Sequence, residues 1–126
     1  VKDISDLWTD ESRFRYYLKV ELAHLRTLEE SGIVPKGTAA ELENAKINPD
    51  RISEIEKVTN HDVIAFCTSV TEQYPAEVGR FFHFGITSSD VIDTAHALLM
   101  KDSMAVIGKD LAALKTALRN KANETS

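Results

Sequence analysis

From about Ser88 to Asn123 the chain contains no proline and a single glycine, Gly108. Apolar residues return along this stretch at 91, 95, 98, 99, 106, 107, 111, 114 and 118, largely in the steps of three and four that place side chains on one face of a helix. The pattern predicts one continuous helix. At about 1.5 Å per residue it runs on the order of 50 Å, longer than a domain of this size needs across its own core. Leu111, Leu114 and Leu118 near its end most need a partner, because the short helices expected before residue 87 cannot cover the whole rod. The chain therefore reads as the front of a larger protein.

The rest of the sequence is helical in pattern too. Phe14, Leu18, Leu22, Leu25 and Leu28 mark one face of an amphipathic helix that Thr9 precedes and Gly32 closes, with Asp10 and Glu11 at the positive end of its dipole. After a turn through Pro35 and Gly37, Thr38-Ala39-Ala40-Glu41 has the form of a capping box and predicts a short helix to about Ile47. Asn48-Pro49 restarts the pattern, since proline suits a first helical position, and Ile52 and Ile55 form the buried face. Val63, Phe66, Cys67 and Val70 mark a further helix, which Pro75 ends. No alternating strand pattern, internal repeat or low-complexity linker competes with an all-α fold.

Charge and cysteine usage narrow the function. Fifteen Lys and Arg stand against twenty Asp and Glu, for a net charge of -5, and no basic cluster marks a nucleic-acid footprint. Cys67 is alone, so neither an intramolecular disulfide nor a cysteine zinc site can form. No apolar run approaches the roughly 20 residues of a membrane span, and the N-terminus lacks a signal-peptide pattern. The expected setting is soluble and cytoplasmic.

Chemistry has to be sought among histidines, acids and hydroxyls. In His83-Phe84-Gly85-Ile86-Thr87-Ser88-Ser89-Asp90 the hydroxyls open the long helix, where free backbone N–H groups and partial positive charge converge. Such a start suits a carboxylate or phosphate, and it equally suits a plain, well-capped helix. His61-Asp62, after Thr59-Asn60, likewise falls at a helix start and reads either as a cap or as a ligand contact. His24 and His96 lie within helical stretches and read as surface or packing residues. A metal site has no support, because His-x-x-x-His and a third ligand are both missing.

Three blocks together carry a resemblance. Trp8-Thr9-Asp10-Glu11-Ser12-Arg13-Phe14, Thr59-Asn60-His61-Asp62-Val63 and the run from His83 to Ala95 occur in the order found in adenylosuccinate lyases of the fumarase/aspartase superfamily. Carboxymuconate-type cycloisomerases share a hydroxyl block of this kind, and the Asn-His-Asp block favours the adenylosuccinate lyases over them. A third reading is a non-enzymatic helical association module.

The lyase resemblance implies an N-terminal helical domain over residues 1–86 and the start of a central helical bundle over 87–126. It also implies a homotetramer, a purine nucleotide substrate, and elimination of fumarate without metal or organic cofactor. Asn60, His61 and Asp62 look like a nucleotide-contacting triplet, and Thr87 and Ser88 look like the pair that binds the succinyl end. His83, Ser89 and Asp90 are supporting candidates. The family's general-acid histidine and catalytic serine lie in motifs that residues 1–126 do not contain, so no catalytic residue is assigned here and this stretch alone is expected to be inactive. The Arg-Tyr pair that many members use for the phosphate near their N-terminus has no counterpart ahead of Val1, and Asn60 stands where some members carry arginine.

Overall fold

The caps legible in the sequence set most of the helix starts. Thr9 accepts the Ser12 N–H at 3.1 Å and opens a helix that ends where Gly32 turns left-handed (φ 75°). The side chain of Asn48 accepts the Arg51 N–H at 3.1 Å with Pro49 following it, and His61 Nδ1 accepts the Ile64 N–H at 3.2 Å. The computed structural model describes residues 4–126. Among these the helices are α1 (Ile4–Leu7), α2 (Asp10–Glu30), α3 (Thr38–Leu42), α4 (Pro49–Thr59), α5 (Asp62–Thr71), α6 (Ala76–Gly79) and α7 (Ser88–Thr125), and no strand is present.

One start differs from expectation. Thr38 does not form a capping box with Glu41; it is already helical, its hydroxyl donates back to the Pro35 carbonyl, and Gly37 caps α3 in the left-handed region (φ 92°). The Ala39 N–H is taken instead by the Glu29 carboxylate from α2 at 2.6 Å. Helix α3 stops at Leu42 rather than near Ile47.

The core forms where α2 lies across α7 and α4 packs on α5. Phe66 of α5 is its centre, fully buried, stacked on Phe14 at 5.9 Å, edge-on to Tyr17 at 5.6 Å and tilted against Phe82 at 6.0 Å. Leu25, Leu42, Ile52, Val63, Val70 and Val91 close around the aromatics. Polar ties then fix α1 and α2 on α7: Trp8 Nε1 donates to Ser103 Oγ at 2.8 Å, and the Tyr16 hydroxyl donates to Asp102.

Helix α7 outruns this core. Val91, Ala95, Leu99 and Ser103 are buried at steps of four, and no side chain beyond Ser103 is. Met100, Met104, Ile107, Leu111, Leu114 and Leu118 follow one another at steps of four and three and stand exposed. None of the described helices is long and apolar enough to cross a membrane.

Candidate functional site

Two sequence blocks meet at the start of α7. His61 caps α5 with Nδ1 as acceptor, so the proton of a neutral ring sits on Nε2, which lies 3.4 Å from Ser88 Oγ. The Nε2–H donates to the serine oxygen. Ser88 keeps its own hydroxyl hydrogen for a third group, and it is the first residue of α7, where the helix leaves N–H donors unpaired. Asp90 reaches back to accept the Thr87 N–H at 2.8 Å, which fixes the backbone on which Thr87 and Ser88 sit. Thr87 and Ser89 are exposed. The arrangement offers hydroxyls and backbone donors to an anion of carboxylate size.

Asp62 borders a cleft of about 390 Å³ on the neighbouring face, lined by Trp8, Arg13, Tyr17, His96 and Leu99 among others. Trp8 meets His96 edge-on at 5.5 Å, and the Arg13 guanidinium lies 4.7 Å over the Phe14 ring. Stacking surfaces, one cation and two carboxylates line this cleft, with Arg13 paired to Asp10 at 3.4 Å and Asp62 following the Ser88 partner His61 directly in the chain. His96 is exposed and lines this cleft.

Asn60 is not brought to this cluster. It is exposed, takes the left-handed conformation (φ 53°) that ends α4, and borders a shallow groove with Ser53, Glu56 and Lys57. Its backbone is what turns the chain into His61. Asn60→Gly is expected to leave stability within a few tenths of a kcal/mol, whereas Asn60→Ala should cost about 1 kcal/mol, because alanine keeps the Cβ and loses the short polar side chain that lets asparagine adopt that region. Urea denaturation midpoints of the two variants check this.

His83 faces elsewhere. Its Nδ1 lies 2.5 Å from Oε1 of Glu21, a carboxylate on α2 with no exposed surface. Burial pushes Glu21 above the usual carboxylate range, and the hydrogen bond and charge of His83, with a further pull from His24, draw it partly back. The thiol of Cys67 donates weakly to the same oxygen at 3.9 Å and is pushed far up, first by burial and then by Glu21, so it is an inert thiol. Glu21, Cys67 and His83 hold three donor atoms within 4.8 Å of one another. At 2.5 Å the Glu21 and His83 atoms are nearer than the roughly 3.3 Å that two tetrahedral zinc ligands keep, so the cluster is a hydrogen-bonded one.

Glu21 is the residue that the functional reading of the sequence passed over. The signal was present: Phe14, Leu18, Glu21, Leu25 and Leu28 run in steps of four and three, so an acid stands on the apolar stripe of α2.

The model of the lyase family matches residues 2–126, and the chain belongs to that family. It is similar to the adenylosuccinate lyase of Helicobacter pylori, 44% identical over 124 residues that make up 98% of this chain and 28% of the relative. To the adenylosuccinate lyase of Thermotoga maritima it is 43% identical over 109 residues, 86% of this chain and 25% of the relative. The chain thus spans about a quarter of the length of these relatives. Its fold matches a crystal structure of fumarate lyase from Mesorhizobium sp. BNC1 with a TM-score of 0.81 at 21% identity, over 91% of this chain and 28% of that one.

Proposed function

We propose that these residues form the substrate-binding portion of a carbon–nitrogen lyase that eliminates fumarate from adenylosuccinate, giving AMP, and from succinylaminoimidazole carboxamide ribotide in purine biosynthesis. The carrying observation is the His61–Ser88 contact, which joins the Asn-His-Asp block to the hydroxyl block across 27 residues in a chain that resembles adenylosuccinate lyases along nearly its whole length. Thr87 and Ser88 hold a succinyl carboxylate on the free N–H groups of α7. His61 aligns Ser88, and Asp62 lies where the hydroxyl cluster meets the cleft and so contacts the nucleotide, with Asn60 shaping the turn that presents both. Elimination needs a base at the carbon beside a carboxylate and an acid at the departing nitrogen, and both come from outside residues 1–126.

The same reading makes residues 1–86 an N-terminal domain and 87–126 the start of a central bundle. Copies of the chain then cover the exposed stripe of α7 in a homotetramer, working in the cytoplasm without metal or organic cofactor. Spectrophotometric assay of the complete protein should show fumarate release from adenylosuccinate, while residues 1–126 alone release none. Ser88→Ala in the complete protein should raise KM about tenfold or more, the usual loss for one hydrogen bond to a charged group. Cycloisomerase activity in place of fumarate release overturns the assignment.

A further inference from the structure

We propose that Glu21 is a positioning residue: its buried carboxylate holds the Nδ1 edge of His83 so that Nε2 is the edge left for an anionic group of the substrate. The idea rests on the substrate reading above and adds to it a residue on α2, far from either motif in sequence. Oε1 of Glu21 is 2.5 Å from His83 Nδ1, and Oε2 is buried with no hydrogen-bond partner. A buried carboxylate with an orphan oxygen is unfavourable for folding, and an apolar side chain of similar size would extend the stripe formed by Leu18, Leu22 and Leu25. Stability therefore does not account for an acid at this position.

A second α2 side chain grips the same turn. His24, three residues along α2, places Nε2 2.7 Å from the Phe84 carbonyl, so consecutive residues of the turn are tied to consecutive steps of one helix. His83 itself sits in the left-handed region (φ 63°), a conformation unfavourable for a histidine and maintained here by those two ties. With Nδ1 engaged, the ring cannot rotate without breaking its bond to Glu21. Nε2 carries no protein partner among the described residues, and the imidazole keeps 24% of its side-chain surface exposed. Gly85, Ile86 and Thr87 then lead directly from this turn to Ser88. When His83 is protonated, Glu21 is its counter-charge and Nε2–H is the donor it presents. The groups facing the Glu21 carboxylate are His83, His24 and Cys67.

The test uses the complete protein and adenylosuccinate. E21L should raise KM about tenfold with a smaller change in kcat, while the thermal midpoint stays unchanged or rises. E21Q keeps an oxygen able to accept from Nδ1–H and should restore KM to within about threefold of the parent. H83A should raise KM as E21L does, and E21L should add nothing on the H83A background, the signature of one residue acting through another. If H83A and S88A raise KM and E21L does not, or if the E21L and H83A effects add, the positioning role is overturned. An E21L protein that fails to fold, or an E21Q protein with KM as poor as E21L, makes Glu21 structural and overturns it as well. If S88A and H83A both leave KM unchanged, the substrate reading fails and the role of Glu21 falls with it.

Discussion

Phe66→Ala is expected to lower the free energy of unfolding by about 3–5 kcal/mol, the cost of deleting a fully buried aromatic ring and leaving a cavity. Three rings touch Phe66, and they come from separate parts of the chain: Phe14 and Tyr17 from α2, and Phe82 from the turn after α6. These neighbours are themselves buried and anchored, Tyr17 with 3% of its surface exposed, so they have little room to collapse into the space. Domains of this size are stable by only about 5–15 kcal/mol, so a loss of this magnitude consumes a large share of the total. The readout is the urea midpoint of the folded protein against the parent. A shift corresponding to less than about 1 kcal/mol would show that the ring cluster is not the centre of the core. The same substitution should weaken substrate binding, because His61 caps the helix that Phe66 anchors and the His61–Ser88 contact depends on how α5 sits against α7.

How far the sequence could be read depended on the range of the interactions. Where a helix start is decided by its own residues, as at Thr9, Asn48 and Thr87, spacing and residue type located it. At Thr38 the local signal was equally good and the structure used it differently. Gly37 could turn left-handed, and a carboxylate ten residues upstream, Glu29, reached the Ala39 N–H first. A capping box satisfies donors that tertiary neighbours can satisfy instead, so the motif alone does not decide. The His61 and Ser88 blocks were recognisable as separate helix starts, but their contact is a product of the fold bringing the start of α5 to the start of α7. The pairing of Glu21 with His83 spans 62 residues, and only the presence of an acid on an apolar stripe hinted at it. Periodicity shows which face is buried; it does not show which distant residue meets that face.

Replacing Leu111, Leu114 and Leu118 together with glutamate should dissociate the complete protein into smaller species while leaving the packing around Phe66 intact. These leucines are 54–61% exposed in the isolated chain. With Met100, Met104 and Ile107 they follow a four-three repeat, the spacing of a seam between helices rather than of a helix facing a broad core. The break with the chain's own domain is sharp. Trp8 binds Ser103, the last buried side chain of α7, and from Met104 onward the helix projects about 33 Å with none of its side chains buried. Fully burying a leucine contributes about 1.5–3 kcal/mol, so three per copy supply enough to hold an assembly, and three buried glutamates oppose it strongly. Sedimentation velocity on the triple variant tests this. Lys109→Glu with Thr116→Glu, about half a turn from the seam on the far side of the rod, is the control and should leave the assembly unchanged. Charge added to the helix is then separated from charge added to the seam, and an unaltered sedimentation coefficient in the triple variant would show that this stripe is not where copies of the chain meet.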